Sequence, residues 1–237
     1  METAVKLALI DNSINPEDYA PCVHWGEFLP VPFDAFRAKE GRLPPLKDGY
    51  THIILSGSEA SILERGSWAE DEADFIREAE ERGVRLLGSC WGHQLLAYAL
   101  GGSSCVGRCR EPEIGWIKIR ILAASLLLGP ARTAWTFSSH FDEVIGLGPA
   151  FRILAASQAC AVQAFDRPGR PIWGLQIHPE ISIARGRETL LRFAARNPLQ
   201  RGVFEAALGA GPRDSGLIRR IVAAFLGSWI PAGEGRE

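Results

Sequence analysis

The chain has 237 residues, 46% hydrophobic and 23% charged, with a formal net charge of −2. These values suit a globular protein that buries its own core, and they exclude a broad basic surface for nucleic acid. No apolar run approaches the roughly 18 residues of a membrane span; the N-terminal METAVKLALIDNS has too short an apolar stretch and no cleavage site for a signal peptide, so a cytoplasmic location is expected.

Residues 5–10 (VKLALI) read as a buried strand ending in the turn Asp11-Asn12-Ser13. Residues 16–28 are open between helix and loop. FDAFRA (33–38) alternates weakly as a second strand, Pro44-Pro45 marks a loop, and THIILSGS (51–58) is a strand running into a polar, glycine-containing turn. SWAEDEADFIREAEERG (67–83) predicts a helix, with Ser67 as N-cap, acids in its first turn and Gly83 as its stop. VRLLGS (84–89) is a strand, and a helix follows from about Gly92 to Gly101-Gly102.

After residue 112 strands crowd together at 114–122, 131–137, 151–157, 160–165 and 171–177, with little helix between them. Helical patterns return at 182–196 and 215–229. Short, continuous apolar strands alternating with helices predict an α/β fold, a mostly parallel central sheet with helices on both faces. The later strands predict a small antiparallel extension and a return to the central sheet. The simplest organisation is one domain.

Five cysteines (22, 90, 105, 109 and 160) are an odd, scattered set, which argues against a disulfide framework. Cys105 and Cys109 lack a second Cys/His pair at finger-like spacing, so they read as ordinary thiols; no metal and no cofactor are expected.

Cys90 stands apart. Gly88-Ser89-Cys90-Trp91-Gly92 joins a strand to a helix in the form of a nucleophile elbow, which holds a reactive side chain on a tight bend at the carboxyl end of a strand. The helix N-terminus favours a thiolate, and the Trp91 N–H is a candidate oxyanion donor. The string alone is equally compatible with a buried core cysteine. A thiolate needs a base, and the chain has five histidines. His52 lies within a strand, His24 has no partner signal, and His93 on the first helical turn reads as a packing residue. His178 ends a strand in His178-Pro179-Glu180. Residues i and i+2 of an extended segment share a face, so Glu180 is placed to orient the imidazole. Pro179 biases His178 toward extended geometry.

These residues resemble the class I (triad-type) glutamine amidotransferases. Gly88-x-Cys90-x-Gly92-x-Gln94 matches the family's elbow, and Gly174-x-Gln176-x-His178-Pro179-Glu180 matches its second signature. The turn Ser56-Gly57-Ser58, the segment Ser139-His140-Phe141-Asp142-Glu143-Val144 and the stretch EPEIGW (111–116) add to the likeness, the last pointing to the branch related to the amidase half of GMP synthase. The resemblance covers roughly residues 5–195 and divides the chain into an amidotransferase domain, 1–196, and a helical extension, 197–237, packed on it. It implies a flavodoxin-like sheet and hydrolysis of the glutamine side-chain amide through a γ-glutamyl thioester. Cys90 would attack, His178 would move the protons and Glu180 would orient His178. The oxyanion would be held by Trp91 together with an N–H of Gly57 or Ser58. Gln94 and the backbone of Ser139, His140 and Phe141 would hold the amino-acid head.

Two departures stand out. Glu59 occupies the place of a frequent proline, so the oxyanion turn is expected to flip more freely. Phe141 replaces a frequent glycine and is expected to narrow the head-group pocket. The chain shows no G-x-x-x-x-G-K-[ST] phosphate loop and no room for a synthetase domain. Three functions follow: an amidase supplying ammonia to a separate synthetase, a hydrolase of γ-glutamyl peptides or amines acting alone, and a non-enzymatic glutamine sensor.

Overall fold

A computed structural model describes residues 4–227. Nine strands form a single sheet: β1 (Leu7–Asp11), β2 (Phe33–Arg37), β3 (His52–Leu55), β4 (Arg85–Ser89), β5 (Val106–Ile121), β6 (Arg132–Val144), β7 (Arg152–Ala156), β8 (Ala164–Asp166) and β9 (Ile172–Leu175). Their order is β2-β1-β3-β4-β9-β8-β7-β5-β6. The half from β2 to β9 is parallel. The half from β9 to β6 is antiparallel. The antiparallel part is therefore half of one continuous sheet, larger than the extension expected. Its two long strands, β5 and β6, begin or end in polar stretches that carry no apolar alternation.

The helices are α1 (Pro21–Gly26), α2 (Ser67–Glu81), α3 (Trp91–Gly101), α4 (Ile183–Arg196), α5 (Arg201–Gly209) and α6 (Leu217–Phe225). Residues 16–28 thus hold the short helix α1. Helix α2 starts one residue earlier in its capping than the sequence suggests. Gly66 is the cap, its carbonyl accepting from Ala69 N at 3.0 Å, and Ser67 is the first helical residue. Gly83 ends that helix at φ 72°, a left-handed position where glycine carries little strain. The last pattern, 215–229, forms α6; Ser228 and Trp229 lie outside the described residues.

Both faces of the sheet are covered. On one, Ala73 and Ile76 of α2 and Leu95 and Leu96 of α3 pack on Ile53, Leu55 and Leu86. On the other, Trp25 of α1 and Ile218, Ile221 and Phe225 of α6 pack on Leu9, Ile54 and Leu87. A third cluster joins Trp116 and Phe137 of the antiparallel strands to Leu190 of α4 and Phe204 of α5. β3, β4 and β9 lie side by side, so their carboxyl ends open on one place. The oxyanion turn, the elbow and the His-Pro-Glu segment follow those three strands.

Candidate active site

Cys90 follows β4 with φ 51° and ψ −107°, the one non-glycine residue with positive φ among those described. Such a backbone is strained for a side chain bearing Cβ, and strain of this kind concentrates at functional sites. The neighbours hold it there. Cys90 N–H donates to Leu175 O at 2.7 Å and Gly92 N–H to Ser56 O at 3.1 Å. The elbow glycines have no room for side chains. A Cβ on Gly88 would stand 2.5 Å from the Gly92 carbonyl, and one on Gly92 would stand 2.3 Å from Leu55 O.

His178 leaves β9 with its N–H on Phe137 O at 2.9 Å. Its Nδ1 meets Glu180 Oε1 at 2.7 Å, and its ring is hydrogen-bonded to Cys90. Both His178 and Glu180 are buried. Burial opposes the charge of the imidazole, yet the Cys90 thiolate and the Glu180 carboxylate together raise His178 above its ordinary pKa. Burial likewise opposes the Glu180 charge, but His178 and its other hydrogen bonds hold the acid below its usual range. The chain Cys90–His178–Glu180 therefore favours an imidazolium between two anions. Cys90 Sγ also lies 3.7 Å from Gln176 Nε2 and 3.7 Å from Ser139 O.

The triad opens into a cavity of about 410 Å³, lined by Ser58, Gln94, Phe141 and, farther out, Arg196, Gln200 and Phe204. Trp91 N is at the first turn of α3, where an N–H has no intrahelical acceptor. In the oxyanion turn, the Ser56 hydroxyl donates to Gly57 O at 2.9 Å. The planar trans peptide then turns Ser58 N–H to the opposite side. The Gly57 N–H faces the Tyr19 hydroxyl oxygen. Ser58 is thereby the freer of the two candidate donors.

The missing proline is compensated. Glu59 accepts from Ile14 N at 2.8 Å and Asn15 N at 3.3 Å, and Ser58 Oγ accepts from Ala60 N at 3.0 Å. Side chains pin the turn that was expected to be loose.

Gln94 is buried, its Nε2 donating to Asp142 O at 2.6 Å and Gln176 Oε1 at 3.2 Å. Ser139 and Phe141 line the cavity. The His140 ring is held in place by Asp142 O (3.1 Å), Cys109 Sγ (3.2 Å) and Glu113 Oε2 (3.2 Å). His140, Glu113 and Cys160 bring ligand-type atoms within 4.8 Å of one another, but Glu113 is already engaged by His140 and Gln163. His93 is fully buried against Phe165, with ring centroids 4.8 Å apart, and burial drives its pKa down to about 3. It also explains Gly174, where a Cβ would stand 2.6 Å from His93 Nδ1.

Sequence reasoning assigned no role to Tyr19, Ser89 or Asp142. Tyr19 Oη donates to Glu180 Oε1 at 2.8 Å, and Ser89 Oγ lies 3.3 and 3.4 Å from the two Glu180 oxygens. Asp142 pairs with Arg108 at 2.9 Å and accepts from Ser61 Oγ at 2.6 Å. Ser89 and Asp142 stand inside the family motifs, whereas Tyr19 belongs to none.

This fold, with this elbow and His-Pro-Glu segment, defines a class I glutamine amidotransferase architecture, and a glutamine amidotransferase class-I family model matches residues 27–196. The chain belongs to that family. Among its relatives, the glutamine-hydrolysing GMP synthase component of Pyrococcus furiosus, a separate polypeptide, is 39% identical over 144 residues, covering 60% of this chain and 73% of that one. The glutamine-hydrolysing GMP synthase of Macrococcus caseolyticus is 38% identical over 142 residues, 59% of this chain and only 26% of that longer protein. In fold, the chain is similar to a glutamine amido transferase of Methylobacillus flagellatus (TM-score 0.74, 21% identity, 99% of both chains). A glutamine amidotransferase of Thermotoga maritima is also similar (TM-score 0.72, 22% identity, 94% of this chain and 98% of that one). No helix among the described residues is long and apolar enough to cross a membrane.

Proposed function

We propose that the chain hydrolyses the side-chain amide of glutamine and supplies the ammonia to a separate acceptor enzyme. The observation that carries this is the buried hydrogen-bonded line Cys90–His178–Glu180 at the base of the cavity. Cys90 Sγ attacks the amide carbon, and the oxyanion is stabilised by the N–H groups of Trp91 and Ser58. The His178 imidazolium gives its proton to the departing nitrogen as the C–N bond breaks, releasing ammonia and leaving a γ-glutamyl thioester. His178 then takes a proton from water as the water attacks the thioester. Glutamate leaves, Cys90 is restored, and one water has been consumed per glutamine. Glu180 fixes the tautomer and stabilises the imidazolium without itself carrying the proton. Gln94 Oε1 and the backbone of residues 139–141 hold the α-amino and α-carboxylate groups. The match to the GMP synthase component of Pyrococcus furiosus supports a synthetase as the partner.

A second reading, a γ-glutamyl peptide or amine hydrolase acting alone, is favoured by one feature. The cavity falls in the roughly 300–1,000 Å³ range of pockets that hold drug-sized ligands, larger than glutamine. Its outer wall of Arg196, Gln200 and Phe204 lies where a larger leaving amine would extend. Steady-state turnover of glutamine, γ-glutamyl dipeptides and glutathione, scored for ammonia and glutamate, separates the two. Ammonia release that rises with a synthetase partner supports the first. Fast partner-free dipeptide cleavage with negligible glutaminase activity supports the second and refutes the first.

A further inference from the structure

We infer that Tyr19 is a positioning residue that ties the acid of the triad to the oxyanion turn through a single hydroxyl. The inference rests on the amidase reading of the site and adds a residue to it. Tyr19 is buried; its O–H donates to Glu180 Oε1 at 2.8 Å, and the Gly57 N–H faces the same oxygen. One hydroxyl thus accepts from the turn and donates to the acid. Its ring stands edge-on to His178, with centroids 5.5 Å apart at 75°.

Burial first, and the Glu180 charge next, push the tyrosine ionisation well above its ordinary value. The hydroxyl therefore keeps its proton, and both contacts persist, wherever the enzyme works. Three consequences follow for the chemistry. Glu180 Oε1 accepts from both Tyr19 and His178, so part of its charge is drawn from the imidazolium and its rotation is restricted. The Gly57 N–H is engaged, which leaves Ser58 as the oxyanion donor. Displacement of the turn and displacement of Glu180 become one event, because the same oxygen contacts both.

Tyr19 is itself held in place. Its N–H donates to Asn15 O at 3.2 Å, Asn15 Nδ2 donates to Asp18 Oδ2 at 2.8 Å, and Asp18 pairs with Arg196 of α4. Ser89 gives Glu180 a further donor, so removing the Tyr19 hydroxyl alone does not orphan the acid.

The test is Tyr19→Phe, which keeps the ring and removes the oxygen. Two readouts are needed: steady-state glutaminase kinetics, and the pH dependence of Cys90 alkylation by iodoacetamide, followed on the Cys90 peptide by mass spectrometry. Alkylation reads the thiolate–imidazolium pair without turnover. Without the competing donor, Glu180 holds the imidazolium more strongly. The alkaline limb of the alkylation profile is expected to move up by about half a pH unit or more. The kcat is expected to fall about tenfold with KM changed less than threefold, while the melting temperature stays within a few degrees. In a cycle with Glu180→Gln, the double variant should match Glu180→Gln alone, because Tyr19 acts through that acid. A Tyr19→Phe enzyme with the wild-type alkylation profile and kcat overturns the proposal, and so do fully additive losses in the cycle. If wild-type protein lacks glutaminase activity but Tyr19→Phe still shifts the alkylation profile, the positioning role stands and the functional reading fails.

Discussion

Replacing Gly92 by alanine is the sharpest test of how the elbow is held. The added Cβ would lie 2.3 Å from Leu55 O and 2.8 Å from its carbonyl carbon, about 1 Å short of ordinary contact. Leu55 cannot retreat, because β3 is paired on both sides, to β1 and to β4. The helix must move instead, and both partners in the collision are backbone. Overpacking of this kind costs about 1–3 kcal/mol, and the upper end applies where no side chain can rotate away. For a chain of this size that lowers Tm by roughly 5–10 °C. The catalytic loss is larger than the stability loss. Gly92 N–H bonds Ser56 O at 3.1 Å, which sets the distance between the start of α3 and the oxyanion turn. Moving the helix withdraws the Trp91 donor, worth roughly 10²–10³ in kcat. Calorimetry and steady-state turnover of Gly92→Ala would be compared with Gly148→Ala, whose Cβ meets nothing within 4 Å. A Gly92→Ala enzyme that melts and turns over like the Gly148→Ala control would refute the account of the elbow.

Cys90→Ala is expected to lower kcat by about 10⁴-fold or more, and a glutamine-analogue electrophile should label Cys90 ahead of Cys22 and Cys160; equal labelling in folded protein argues against the nucleophile assignment. Glu180→Gln should slow turnover less than His178→Ala, since an orienting acid matters less than the base it orients, and the reverse order would exchange their roles. Glu72, fully buried in α2 with Asn12 Nδ2 at 3.2 Å, has its pKa raised by burial to about 8. The folded chain therefore holds a proton on Glu72 that the unfolded chain releases, so this group's stabilisation falls as pH rises from about 4.5 to about 8. Glu72→Gln should raise Tm more at pH 8 than at pH 5, and a gain independent of pH would show that Glu72 is ionised in the fold.

The parallel half of the sheet and the triad were legible in the sequence for the same reason. A strand covered on both faces is a continuous apolar run, as in VKLALI, THIIL and VRLLG, and each such run here ends at a site segment. Local spacing then sufficed for Cys90 and its helix, and for His178 and Glu180 two residues apart. The first half of β5 was not legible, because residues 107–113 are polar or half-exposed, and the pairing with β6 is interrupted between Arg108 and Glu113. Tyr19 was invisible on different grounds. It meets Glu180 across 161 residues of sequence, in a segment with no motif and ahead of the family match at residue 27.

That segment also accounts for the oxyanion turn. A proline after the glycine turn would make its rigidity local. Here Glu59 stands in that place, and the turn depends on distant partners: Ile14 and Asn15 N–H for Glu59, Asn12 N–H for Ser56 Oγ at 2.9 Å, and the Tyr19 hydroxyl facing Gly57 N–H. All of them lie between β1 and α1. The same loop supplies the Tyr19 donor to Glu180. The acid of the triad and the turn that receives the oxyanion are thus braced by one eight-residue stretch, 12–19, itself tied to α4 through Asp18 and Arg196. Any displacement of that stretch weakens proton transfer and oxyanion stabilisation together.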